Sequence, residues 1–245
     1  MTHSHSFGFT PIAEHDRQGA VNQVFARVAS RYDVMNDAMS MGLHRLWKRA
    51  VLRAVLKRGT FRHLDVAGGS GDVARLIRSA HPGAETTLLD INPAMLAEGR
   101  RNLLNAGITN AQFITGNAEK LPLQDNSVDV YTIAFGLRNV TDIPAALKEA
   151  ARVLKPGGQY MCLEFTPEVN PALQPLYDAY SFYIIPRLGA LLAKDKAAYQ
   201  YLVESIRRFP NRFSLEQLMR DAGLHAVRHR TMSGGIVALH EGIKP

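Results

Sequence analysis

His63-Leu64-Asp65-Val66-Ala67-Gly68-Gly69-Ser70-Gly71-Asp72 places an acidic residue inside an apolar run, then a glycine-rich turn, then the start of a helical pattern. Glycines let a backbone approach a ligand closely, and the following helix N-terminus offers unpaired N–H groups. Gly69-Ser70-Gly71-Asp72-Val73-Ala74 satisfies the fingerprint G-x-G-x-x-A. Asp90 follows about 20 residues further on, where an acid can hold ribose hydroxyls. Taken alone, the motif fits a nicotinamide dehydrogenase as well as a methyltransferase.

Outward from this turn, short β-branched and aliphatic runs alternate with helical patterns, the signal for βαβ units and a parallel sheet. Strands are predicted over 61–67, 86–91, 111–115, 128–135 and 159–165. Asn92 and Pro93 open a helix that ends near Gly107, and 143–154 is helical up to the stop Lys155-Pro156-Gly157-Gly158. Ser214 with Gln217 makes a capping-box pattern for a helix ending at Gly223. Runs over 225–231 and 236–240, joined through Met232-Ser233-Gly234-Gly235, read as a hairpin that adds an antiparallel strand. The expectation is an α/β fold: a doubly wound, mostly parallel sheet with a C-terminal antiparallel hairpin and N-terminal helices. No linker or repeat separates a second domain. The expected organisation is one domain over 1–245, with a helical segment over 1–59 packed on it and a helical substrate-side insertion over about 167–210.

Three features favour the methyltransferase. Asp72 stands where a dehydrogenase binds pyrophosphate, and a carboxylate there repels it. S-adenosylmethionine has no phosphate but carries an ammonium and a sulfonium, which acids at Asp65 and Asp72 tolerate or favour. Gly116-Asn117-Ala118-Glu119 sets the Asn117 amide beyond the third strand, in reach of an adenine edge, and the antiparallel hairpin suits the methyltransferase sheet better than a second mononucleotide half.

The composition bounds the rest. With 46% hydrophobic and 21% charged residues among 245, the chain can bury a core, which argues against disorder or a fibrous repeat. The single cysteine, Cys162, excludes an intrachain disulfide framework or a cysteine-clustered zinc site and suits a reducing compartment. No segment approaches the ~18–20 apolar residues of a membrane span. Residues 1–18 lack the pattern of a secretory signal and read as a flexible arm bearing His3 and His5. The formal charge is +7, and residues 1–60 hold nine Lys and Arg against four Asp and Glu. Such a basic region suits an anionic partner. It lacks a ladder of stacking aromatics or an RNA-recognition signature, so nucleic acid is not expected.

The run Tyr32-Asp33-Val34-Met35-Asn36-Asp37-Ala38-Met39-Ser40-Met41-Gly42-Leu43-His44-Arg45-Leu46-Trp47, with Phe135-Gly136-Leu137-Arg138-Asn139-Val140 and Arg152-Val153-Leu154-Lys155-Pro156-Gly157-Gly158, closely resembles the UbiE family of ubiquinone/menaquinone biosynthesis C-methyltransferases. The likeness runs through nearly the whole chain. It implies an S-adenosylmethionine-dependent enzyme, without a metal, that methylates a ring carbon of a polyprenylated quinol. It also implies cofactor contacts at Ser70, Asp90, Asn117 and Ala118. A further family position, usually serine, is Ala134 here, so no hydroxyl contact is expected from it.

Together with Gly68 of the turn and Tyr32, which is expected to close over the cofactor, these residues form the expected cofactor site. Arg138 and Asn139 follow the fourth strand, at the edge where open α/β sheets bind ligands. Arg138 stays protonated and is assigned to phenolate stabilisation or to orienting a water, with Asn139 as its hydrogen-bonding neighbour; the structural alternative is a surface arginine paired with Asp142. His44 is the candidate base, because its ordinary pKa lies near neutrality. The apolar stretch 177–193 is a candidate wall for an isoprenoid channel. A membrane-resident substrate and the basic residues Arg45, Lys48, Arg49, Arg53, Lys57 and Arg58 lead to an expected peripheral association with an anionic membrane, on the inner face of the cell membrane. A homodimer or a quinone-biosynthesis complex is the expected kind of assembly.

Overall fold

The computed structural model describes residues 6–7, 10–11, 19, 21, 36–37, 40–57, 59–181 and 196–245. Tyr32, Arg58, the two leading histidines and 182–193 of the apolar stretch lie outside the described residues. Seven strands, β1 (Phe61–Val66), β2 (Ala84–Asp90), β3 (Gln112–Thr115), β4 (Val128–Ala134), β5 (Leu154–Phe165), β6 (His225–Met232) and β7 (Val237–Ile243), form one sheet in the order β3-β2-β1-β4-β5-β7-β6. The first five pair in parallel, and β7 runs antiparallel to both β5 and β6. The antiparallel C-terminal hairpin is therefore present. Chain order reverses between β1 and β4, which opens a crevice at their carboxyl ends.

Side chains alternate across the central strands, as period two demands. Val130, Met161 and Leu163 face helices α1 (Leu43–Ala54) and α2 (Asp72–Ala80) with Trp47, Val51, Val73 and Ile77. Leu64, Tyr131, Ile133 and Cys162 face α4 (Ile143–Val153) and α7 (Arg212–Asp221) with Leu147, Ala150, Leu215 and Met219. Leu88 packs with Ala74 and with Leu96 and Leu103 of α3 (Pro93–Asn105). Two further helices, α5 (Gln174–Ala179) and α6 (Lys196–Arg208), lie in the expected insertion.

Two local expectations are corrected, and one alternative reading falls away. The cap of α7 is Asn211, whose Oδ1 accepts from the Ser214 N–H at 2.8 Å, so Ser214 sits inside the helix. An Asn at the N-cap accepts from the N–H three residues on, one of the donors the first turn leaves unpaired. Lys155-Pro156-Gly157-Gly158 does not precede β5 but lies within its span, because the Gly157 N–H donates to Lys244 O at 2.8 Å and the Lys244 N–H to Gly158 O at 3.0 Å. The turn is stitched to the end of β7, with a bulge opposite Val128–Val130. Asp142 is not the partner of Arg138: it caps α4, its Oδ1 accepting from the Ala145 N–H at 2.9 Å.

Candidate active site

The glycine turn connects β1 to α2 and passes under the end of β2. Gly69 has φ +51°, its N–H donates to Asp90 Oδ2 at 2.9 Å, and a Cβ there would come within 3.0 Å of Met95 Cε. Asp90 Oδ1 accepts from the Asn92 N–H at 2.8 Å. Burial raises the Asp90 pKa against these backbone donors and that of Ile91. Asp90 thus braces the turn and faces a cleft at the carboxyl end of the sheet. The walls are mainly apolar, with Val66, Leu89, Ile91, Met95 and Val140, and the polar groups converge at Asp90, Asn117 and Asn139.

Asn117 and Ala118 line the cleft from the loop after β3. The Asn117 Oδ1 accepts from the Glu119 N–H at 2.9 Å, which commits the oxygen to the loop and gives the amide NH₂ to a ligand. Gly68, Ser70 and Ala134 line a second, smaller cavity that shares Ala67, Gly69 and Phe135 with the first. Its other walls include Lys48, Asp65 and Asp72. The five described residues expected to hold the cofactor, Gly68, Ser70, Asp90, Asn117 and Ala118, are thus brought to two adjoining cavities.

Asp65 is buried beneath the turn and accepts from Thr132 Oγ1 at 2.7 Å and from the Ala74 N–H at 3.1 Å. Burial pushes its carboxyl up to about 7, opposed by those two donors and by the charge of Lys48. The folded state keeps this proton until pH nears 7, whereas the unfolded chain gives it up near 3.8. Its contribution to stability is therefore fully present below pH 3.8 and is lost as pH rises through 7, at up to about 1.4 kcal/mol per pH unit. Urea unfolding at pH 5.5 and 7.0 is expected to show wild type losing about 2 kcal/mol relative to Asp65→Asn over that interval. Parallel profiles for the two proteins would remove the buried proton from the account.

A 3-10 helix, Leu137–Asn139, follows β4. Asn139 lines the cleft, and its Oδ1 accepts from the Tyr201 hydroxyl of α6 at 3.0 Å. Arg138 is buried beside it and does not line the described cavities. Its Nη1 donates to Glu164 Oε1 at 2.7 Å and to Phe135 O at 2.6 Å, and its guanidinium stacks 5.5 Å from the Phe165 ring. Burial raises the Glu164 pKa, with Arg138 pulling against it. The sequence signal for this partner was the lone charge in Met161-Cys162-Leu163-Glu164-Phe165, a strand interior where a carboxylate needs a buried cation. Tyr201 carried no such signal.

His44 lies on α1 one turn before Lys48 and is not among the residues lining either cavity. Ser40 Oγ donates to Asn36 O at 2.7 Å, so the proton of its 2.9 Å contact with His44 sits on Nδ1, which leaves Nε2 as the basic nitrogen. Burial, then Lys48, lowers the His44 pKa and keeps the ring neutral near pH 7. Lys48 itself turns inward, its Nζ 2.7 Å from Asp72 Oδ2. Burial pushes the Asp72 carboxyl up, but Lys48 and Arg75 outweigh it and hold the pKa below its ordinary value. No group of three or more metal-ligating side chains occurs among the described residues.

The model of the ubiE/COQ5 methyltransferase family matches residues 12–244. Relatives named ubiquinone/menaquinone biosynthesis C-methyltransferase UbiE include those of Methylobacterium nodulans, 53% identical over 98% of this chain and 97% of the relative, and of Brucella abortus, 50% identical over 98% and 91%. Among solved structures, a chain of the Haloferax volcanii complex between the Trm112 methyltransferase activator and a methyltransferase aligns with TM-score 0.68 at 18% identity, over 90% of this chain and 97% of that one. A SAM-dependent methyltransferase from Thermotoga maritima aligns with TM-score 0.65 at 20% identity, over 91% and 99%. At such identities the likeness is one of fold.

Proposed function

The chain belongs to the ubiE/COQ5 methyltransferase family, and from that premise we propose that it moves a methyl group from S-adenosylmethionine to a ring carbon of a polyprenylated benzoquinol or naphthoquinol in ubiquinone or menaquinone biosynthesis. The observation that carries the reading is Asp90 at the end of β2, facing an apolar cleft that Asn117, from the loop after the neighbouring β3, also lines. The residues present fit this donor. Asp90 accepts ribose hydroxyls, the Asn117 amide meets the adenine, and Gly69 provides a cradle that a Cβ would fill. Asp72 at the α2 N-terminus disfavours a dinucleotide pyrophosphate.

When bound, the donor supplies an electrophilic methyl group on a sulfonium. The chain's residues must orient the quinol, stabilise charge on its oxygen and take up the ring proton. Asn139, fixed by Tyr201, presents its amide to the quinol oxygen. Arg138 supports it from beneath and supplies positive potential attenuated by Glu164. His44 Nε2 is the candidate acceptor for the proton, Tyr32 the residue that closes over the donor, and the insertion over about 167–210 the cover for the isoprenoid tail. Mass spectrometry of the quinone pool in cells lacking the protein tests the reading. A precursor short of one ring methyl is expected to accumulate, and an unchanged pool would overturn it.

The same reading includes docking on an anionic membrane, through a smaller surface than the sequence suggests. Lys48 is buried against Asp72, and Arg45 pairs with Asp37 at 2.6 Å. The outward face of α1 keeps Arg49 and Arg53, flanked by exposed Met41, Leu46 and Leu56. No helix among the described residues is long and apolar enough to cross a membrane. Cosedimentation with vesicles containing phosphatidylserine is expected to weaken with salt and to drop about 30-fold in Arg49→Gln/Arg53→Gln, at about 1 kcal/mol per basic residue. Salt-independent binding, or none, defeats the electrostatic part of this proposal.

A further inference from the structure

The cavity beside the main cleft asks what its own chemistry recognises. It joins the cleft through Ala67, Gly69 and Phe135, so a ligand whose ribose meets Asp90 reaches into it past the glycine turn. Two carboxylates, Asp65 and Asp72, and one ammonium, Lys48, line it together with Ser70. Lys48 is the only cation among its described lining residues, and it comes from α1 rather than from the sheet or the turn. Its side chain is 8% exposed, with Nζ 2.7 Å from Asp72 Oδ2. A lysine ammonium has three donors, and the bond to Asp72 uses one.

The amino-acid end of the methyl donor is a zwitterion. Its ammonium finds acceptors in Asp65 and Asp72, but its carboxylate, entering beside the ionised Asp72 and an Asp65 that itself ionises near pH 7, is repelled unless a cation meets it. We propose that Lys48 binds this carboxylate while retaining its bond to Asp72, making α1 part of the cofactor site. The inference rests on the methyl-donor reading above and adds to it a recognition group outside the glycine turn. It also explains why a lysine on an otherwise outward-basic helix is turned inward.

The test compares two ligands that differ only in the amino-acid end. S-adenosylhomocysteine carries the zwitterion, and 5′-methylthioadenosine lacks it. Calorimetric titration of Lys48→Met is expected to show affinity for S-adenosylhomocysteine reduced about 10- to 100-fold, with affinity for methylthioadenosine within about twofold of wild type. Lys48→Arg, which keeps a cation at the position, is expected to recover most of the loss. If Lys48→Met loses its cooperative thermal transition, Lys48→Met/Asp72→Asn leaves no lone buried charge and carries the comparison when it is measured against Asp72→Asn alone, which already lacks one acceptor for the ammonium. Equal loss for both ligands, or loss for neither, overturns the role of Lys48 while leaving the methyl-donor reading intact. A wild-type protein that binds neither ligand overturns that reading and the inference with it.

Discussion

Alanine at Arg138 is expected to lower turnover by about 100-fold or more and to cost the fold about 3–5 kcal/mol. Both members of the Arg138–Glu164 pair are almost wholly buried, and Nη1 to Oε1 is 2.7 Å. Removing the cation strands a carboxylate whose remaining donors are the backbone N–H groups of Phe165 at 2.9 Å and of residue 138 itself at 3.4 Å. The variant alone therefore mixes a structural loss with a catalytic one. Arg138→Ala/Glu164→Gln separates them, because it removes the stranded charge while leaving an amide oxygen for the two N–H groups. Urea unfolding is expected to regain most of the lost stability, while single-turnover rates stay low and donor affinity stays near wild type. Recovery of the rate along with the stability would assign the pair to structure alone.

The contrast between Arg138 and the glycine turn shows which information was local. Each part of the turn has its signal within a few residues: Asp65 in a strand, Gly69 and Gly71 at φ +51° and +79°, and Asn92 with Pro93 at the next helix start. The parallel pairing and the antiparallel hairpin follow from the same local pattern, since parallel neighbours require crossovers and β6 reaches β7 by a short connection, but the return of β4 to the side of β1 does not. Ion-pair partners lie beyond such reasoning. Arg138 meets Glu164 across 26 residues and Lys48 meets Asp72 across 24, so a helix-period reading counts Lys48 as part of a solvated basic face. Only the docking of α1 on the sheet, through Trp47, Val51 and the ring of Phe165 5.9 Å from Trp47, decides which of its basic residues turn inward. The Tyr201–Asn139 bond is likewise a product of packing between α6 and the 3-10 helix.

Asp90 carries the largest expected effect on binding. If, as proposed, its carboxylate accepts both ribose hydroxyls, charge-assisted bonds of about 1.5–3 kcal/mol each make Asp90→Ala weaker for the donor by about 150-fold at least. Oδ2 and Oδ1 also hold the N–H groups of Gly69 and Asn92. Alanine therefore frees two buried donors and loosens the turn that supports the ligand, so a loss of affinity does not by itself identify hydroxyl recognition. The ligand separates the two effects. Wild type is expected to bind 5′-methylthioadenosine at least 10-fold more tightly than its 2′,3′-dideoxy analogue, and Asp90→Ala to bind the two alike, because a loosened turn weakens both ligands while a missing acceptor weakens only the one with hydroxyls. A preference that survives in Asp90→Ala would move ribose recognition to another residue, and unchanged donor affinity would remove Asp90 from the site.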